Sequence, residues 1–318
     1  MKAGRFLDTL LSPAAPPFVD SASELRACLT TLPSDDTVER AALGGRSAAG
    51  LGWAFAAGYH AALLRLLNTA SPALFRGRLG SLAATEQGGG HPRAIQCALT
   101  QRSEEEGGGF RLEGDKAFVT LGAEADVLLV VARTGQDDHG RNRLRVVAIP
   151  RAREGVTLEP GNPLPFTSEI DHARLRLRDV HVAEDEVLPG DGYDVYLKPF
   201  RTIEDVHVMA AAVGWAVGHG LRIGWSRAWL TRAAATLACL RDLGRDDPSA
   251  PGTHVALAGA LELVRSLLQE ADWASAPEEL RARWTRDRPL LDVATRVRQA
   301  RLDAAWQALR GDEAHPGK

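Results

Sequence analysis

Hydrophobic positions change their period twice along the chain. From Ser21 to about Leu79 the rhythm is helical: Leu51, Phe55, Tyr59, Leu63 and Leu66 recur every three or four residues and so share one helix face. Ser23-Glu24-Leu25-Arg26 predicts an earlier helix, with a serine cap and an acid in the first turn. Asn68-Thr69 and Ser71-Pro72 break the pattern. From Gly80 to Gly190 the period shortens. Ala117–Thr120, Asp126–Val131 and Leu144–Ile149 are short apolar, β-branched runs. Ala173–Arg178 alternates strictly, with one apolar and one basic face. Turn residues punctuate the joins at Gly107–Gly109, Gly114-Asp115, Pro160–Pro165 and Pro189–Gly192, which predicts roughly seven or eight strands. From Thr202 the helical rhythm returns. Helices are predicted at about Ile203–Leu240, His254–Asp272 and Arg286–Leu309, with a frayed tail at Asp312–Lys318.

Helices, then strands, then helices is not the alternation of a doubly wound sheet. The order predicts an α+β fold: an N-terminal helical domain (1–79), a central β-barrel-like domain (80–190) and a C-terminal helical bundle (191–318). The Gly-spaced apolar faces at Ala210–Gly224 and Ala256–Leu268 call for a fourth helical partner, so an oligomer is expected.

Composition narrows the function. The 318 residues carry 38 Lys+Arg against 41 Asp+Glu, a net charge of −3, so no charge excess is available to hold nucleic acid or an anionic membrane. Ala48–Leu67 and Val206–Gly224 are near spanning length, but His60, Arg65, His207, His219 and Arg222 interrupt them; buried helices are expected instead. Met1–Pro17 has no secretory-signal pattern. Cys28, Cys97 and Cys239 are far apart and form no CxxC pair, which fits a reducing, cytoplasmic setting without a cysteine metal site. The histidines lack metal-pair spacing, so no metal is expected.

Two stretches could carry chemistry. Thr85-Glu86-Gln87-Gly88-Gly89-Gly90-His91 follows the apolar Leu82-Ala83; its glycines either bring backbone amides close to a ligand or simply make a wide turn. Gly114–Asp126 leads a turn into a strand with Phe118 and Thr120 two apart on one face. They could pack on and hydrogen-bond a flat heterocycle, or they could be core.

In order and spacing these stretches resemble the acyl-CoA dehydrogenase family. Thr85-Glu86-Gln87-Gly88-Gly89-Gly90-His91-Pro92 stands where the family reads T-E-P-x-x-G-S-D. Gly114-x-Lys116-x-Phe118-Val119-Thr120-Leu121-Gly122-x-x-Ala125-Asp126 is similar to its G-x-K-x-W-I-T-N-G-x-x-A-D, and Asp179-Val180-His181-Val182 to its D-V-x-V. The resemblance implies FAD on the β domain. Thr85 and the following backbone through Glu86, Gly88 and Gly90 would contact the flavin pyrimidine, Phe118 would pack on the isoalloxazine, and Thr120 would hydrogen-bond near the reactive nitrogen. Lys116 and Asp126 are expected to be structural, solvent-facing turn residues.

The chain also departs from the family pattern. His91-Pro92 replaces S-D, so His91 takes the place of a substrate contact. The diphosphate-binding R-x-x-F-G is replaced by Trp229–Ala234, with Arg232 off-register, and no Glu-Gly-Thr turn follows Trp284–Arg288. Some members carry the catalytic glutamate at the start of the first C-terminal helix. Glu204 matches that place, either as the base or as an acid favouring a helix N-terminus. The family's following Arg is Asp205 here, which as a like charge should push Glu204 toward the neutral form, while the helix N-terminus and Arg201 favour the charged one by a similar amount.

The resemblance therefore implies α,β-dehydrogenation of an acyl-CoA, with electrons passed to an electron-transfer flavoprotein or similar acceptor, by a homo-oligomer or with a paralogous subunit. A degenerate, half-site subunit and a flavin monooxygenase on the same scaffold are the alternatives.

Overall fold

The computed structural model describes residues 5–67, 74–75 and 77–311. The expected break at 68–73 and the expected frayed tail at 312–318 lie outside the described residues. Helices come first: α1 (Arg5–Leu11), α2 (Ala22–Thr31), α3 (Thr37–Arg46) and α4 (Leu51–Leu67). Seven strands follow: β1 (Gly80–Ala83), β2 (Ala98–Gln101), β3 (Phe110–Thr120), β4 (Val127–Gln136), β5 (Asn142–Pro150), β6 (Val156–Pro160) and β7 (His172–Val182). Helices close the chain: α5 (Lys198–Ile223), α6 (Arg227–Leu243), α7 (Pro251–Gln269), α8 (Glu278–Asp287) and α9 (Thr295–Arg310). This is the predicted α+β order of helices, curled sheet and helices.

Residues pack into two compact units: 1–62 with 165–167 and 202–318, and 63–164 with 168–201. In the helical unit, α5 meets α3 and α4 along backbone. A Cβ at Gly45 would lie 2.0 Å from the Ala211 carbonyl oxygen, and one at Gly214 would lie 2.0 Å from that of Ala42. Only glycine allows that approach. His207 lies fully inside this seam, its Nδ1 2.7 Å from the Ile203 carbonyl and its Nε2 2.8 Å from Thr37 Oγ1. Farther along, Trp215, Trp273 and Trp284 stack, the last two with centroids 4.6 Å apart.

Three helix boundaries differ from the sequence reading. Ser21, not Ser23, caps α2, accepting from the Glu24 N–H at 3.2 Å. The single helix expected over 203–240 is two, because Gly224 takes φ +88° and Ser226 caps α6 by accepting from the Trp229 N–H. At that corner Trp225 folds onto Gly220, where a Cβ would be 2.5 Å from its ring. The last helix begins at Thr295 rather than Arg286; Trp284 to Asp287 belong to α8, and a 3₁₀ turn containing Pro289 separates the two. Asp287, fully buried, ends α8 and accepts from the Thr167 N–H at 2.7 Å and from Arg286.

In the other unit the strands run β1-β4-β2-β3-β7-β6, with β5 paired to β4. Leu112, Val119, Leu128, Val130, Val147 and Leu175 fill its core. Alternate residues of β7 give the basic outer face expected from the sequence; Arg176 pairs with Glu159 and Arg178 with Asp115 on it. Such exposed pairs contribute little stability. Between Lys116 and Val119 the β3–β7 register shifts by one residue, so Phe118 lies in a β-bulge.

Candidate functional site

The segment after β1 folds into a tight turn. Glu86 and Gly89 exchange backbone hydrogen bonds of 3.2 and 2.8 Å, and Gly89 takes φ +98° with open space where a Cβ would stand. A Cβ at Gly90 would come 3.3 Å from Thr85 Oγ1, and one at Gly88 3.4 Å from the Ala94 side chain. Thr85 forms an isolated bridge with Phe118, the Ala117 N–H donating to the Thr85 carbonyl at 2.8 Å. The two motifs therefore meet: the glycine turn is joined to the β3 bulge by main chain.

The Glu86 carboxylate points inward, accepting from the N–H groups of Gln96 (2.7 Å) and Cys97 (3.0 Å) and from Lys116 Nζ (2.7 Å). Its backbone stays available for the contact expected of it. Lys116 differs from expectation: this side chain is fully buried, not solvent-facing, and also donates to the Val131 carbonyl at 2.6 Å. A buried cation and a buried anion, each with further hydrogen-bond partners, are mutually required. Beside them, burial pushes the Cys97 thiol up to about 11, so it is no thiolate at neutral pH. Asp126 accepts from the Leu79 N–H at 2.8 Å, a structural role as expected.

Phe118 and Thr120 lie at the rim. The Phe118 ring is 38% exposed, unusual for phenylalanine on a strand, whereas Thr120 is buried. Ser81 Oγ donates to the Thr120 carbonyl at 2.5 Å, fixing the end of β3 against β1. The sequence reading passed over a further residue, His172. It pairs in register with Thr120, and its ring stacks on Phe118 at 4.3 Å with planes 18° apart. The signal was present: carrying the alternation of β7 back from Arg178, Arg176 and Arg174 reaches His172 on the same face. Burial pushes its imidazole down to about 4, so the ring is neutral at pH 7.

His91 is exposed and spends its Nδ1 on a local cap, accepting from the Arg93 N–H at 3.2 Å. Arg232 pairs with Glu270 on the surface at 2.5 Å.

Glu204 belongs to the helical unit and is half-buried. It is not at a helix N-terminus. A π-helical turn, Gly192–Leu197, capped by Asp191, runs directly into α5, and α5 itself starts at Lys198. The helix-dipole argument for Glu204 lapses, since that effect fades beyond the first turn. Asp205 does not act as an uncompensated like charge either. Its Oδ1 accepts from Arg298 Nε (3.0 Å) and Nη2 (2.7 Å), and its Oδ2 pairs with Arg301. Both guanidinium groups come from α9 and offset its charge.

No helix among the described residues is long and apolar enough to cross a membrane. Residues 81–180 match the family profile "Acyl-CoA dehydrogenase, middle domain". A probable acyl-CoA dehydrogenase, FadE10, of Mycobacterium tuberculosis (strain ATCC 25618 / H37Rv) is 28% identical over 142 residues, covering 42% of this chain and 22% of that protein. The chain thus spans about a fifth of that relative's length. Among solved structures, butyryl-CoA dehydrogenase from Megasphaera elsdenii aligns with a TM-score of 0.70 at 15% identity, over 96% of this chain and 99% of that one. The FAD complex of PigA aligns with a TM-score of 0.63 at 14% identity, over 98% and 99%. The chain has an acyl-CoA dehydrogenase-like fold, and residues 81–180 of it match that family's middle domain.

Proposed function

We propose that the chain binds FAD on the β3 rim and dehydrogenates an acyl thioester between its α and β carbons. The observation that carries this reading is the exposed Phe118 ring, held in the bulge between bridged Thr85 and buried Thr120, inside the stretch that matches the family's middle domain. The residues present suit the cofactor. An exposed aromatic offers a stacking surface, and the Gly89 turn leaves its backbone open to close approach. Thr85, the backbone of Glu86, Gly88 and Gly90, Phe118 and Thr120 would hold the flavin. When bound, it supplies a two-electron acceptor. Glu204 would receive the α-proton on its carboxylate, and the electrons would pass on to an electron-transfer flavoprotein or similar acceptor.

Adding FAD to the purified protein and following flavin absorbance and fluorescence tests the placement. Phe118→Ala is expected to weaken FAD binding about tenfold, the loss of one aromatic contact, with Thr120→Val adding to it. Parent-like affinity in both variants would move the flavin elsewhere. Bleaching of bound flavin by acyl-CoA without oxygen tests the reaction itself.

The Gly-spaced face of α5 is not free for a partner, as the sequence pattern suggested, because α3 and α4 of the same chain cover it; self-association is placed instead where Leu263 of α7 and Val297, Trp306 and Leu309 of α9 are exposed apolar side chains. Sedimentation at micromolar concentration should show a dimer or larger species; a monomer would refute this.

A further inference from the structure

Phe118 lies in a bulge, where the strand ladder does not dictate the direction of a side chain. Something else has to hold its ring. His172 lies against one side of it, stacked at 4.3 Å with an 18° interplanar angle, while 38% of Phe118 stays exposed. His172 is itself buried, pairs with Thr120 across the β3–β7 ladder, and so shares the outer face with it. Its Nδ1 is buried without a hydrogen-bond partner. No hydrogen bond therefore accounts for the ring's placement at that nitrogen, and its contact with Phe118 is the one the geometry displays.

We propose that His172 is a positioning residue for the flavin site: its imidazole backs the Phe118 ring and keeps the opposite ring surface turned outward for the isoalloxazine. This rests on the flavin reading given above. The flat ring is what matters, because a planar neighbour fixes the tilt of a phenyl group and a branched aliphatic one does not. The ring stays neutral at pH 7, so the stack needs no counter-charge.

The full chain is titrated with FAD as parent, His172→Leu, His172→Phe, Phe118→Leu and the double variant His172→Leu/Phe118→Leu. Binding is read by flavin fluorescence, and the setting of the bound ring by visible circular dichroism. His172→Leu is expected to raise the FAD dissociation constant about tenfold and to diminish the induced dichroism. His172→Phe, which restores a flat ring, should return both to near the parent. In the Phe118→Leu background, His172→Leu should cause no further loss, since the ring it supports is gone. Parent-like affinity and dichroism in His172→Leu, failure of His172→Phe to rescue, or an equal loss in the Phe118→Leu background would each overturn the positioning role while leaving the flavin reading intact. A parent protein that takes up no FAD would overturn both. Thermal melts of each variant separate these results from unfolding; if His172→Leu does not fold, the comparison of His172→Phe with Phe118→Leu decides. Retained binding in the first and loss in the second supports the proposal, and loss in both overturns it.

Discussion

Glutamine at position 204 is expected to slow flavin reduction by acyl-CoA roughly 10²–10⁴-fold, the range for a lost general base. The exchange keeps the shape of the side chain and removes its ability to take a proton. Glu204 is half-buried in the interior of α5, well past the π-helical turn, so the helix terminus does little to its charge. Its neighbour Asp205 is held by Arg298 and Arg301. FAD affinity should not change in this variant, because the residues proposed to hold the cofactor lie elsewhere in the sequence. Anaerobic stopped-flow with the FAD-loaded protein measures the rate. Unchanged reduction would exclude Glu204 as the base. A parent protein that binds FAD but is not reduced by any acyl-CoA would favour the non-catalytic subunit.

The second large effect is on stability. Lys116→Met is expected to lower the unfolding free energy by about 3–5 kcal/mol, the range seen when one member of a buried ion pair is removed. Methionine fills much of the volume but leaves the Glu86 carboxylate buried beside it, supported only by the Gln96 and Cys97 N–H groups. The double variant Lys116→Met/Glu86→Gln should recover part of the loss, since the uncompensated charge is gone. Urea unfolding of the two single variants and the double measures the coupling. A loss below about 1 kcal/mol in Lys116→Met would mean that the pair does not stabilise the fold. The same pair fastens the glycine turn to β3, so FAD binding should weaken along with stability.

The order of elements was legible because period is a local property. The face Leu51-Phe55-Tyr59-Leu63-Leu66 became α4, and the alternation from Ala173 became β7. Boundaries failed where one residue type serves two purposes. Gly224-Trp225-Ser226 sits in a run of small and apolar residues that reads as continuous helix; the corner depends on Trp225 finding Gly220, a contact made only once the helices pack. The two site motifs could be recognised from sequence, but the roles within them could not. Lys116 looks like a surface turn residue until the fold brings its Nζ to 2.7 Å from the Glu86 carboxylate. Similarly, nothing near Asp205 in sequence announces Arg298 and Arg301, which arrive from the last helix. His172 was missed for a different reason: as the first residue of a basic strand its face follows from the alternation, but its partner does not, and its meaning comes from lying opposite Thr120.

The glycine seam of α5 has a mechanical meaning. Most helices are spaced by side chains, which can change rotamer and absorb an error of half an ångström. Here the spacer at Gly45 and Gly214 is the peptide backbone itself, meeting the carbonyls of Ala211 and Ala42 with no atom between that could yield. Ten residues of unbroken helix, roughly 15 Å, separate Gly214 from Glu204. The axial position of that carboxylate is gauged by a hard stop, much as a shaft is located by a shoulder rather than by a bushing. Substitutions elsewhere in the bundle can be taken up by repacking, whereas any side chain added at the stop displaces the whole rod and everything mounted on it.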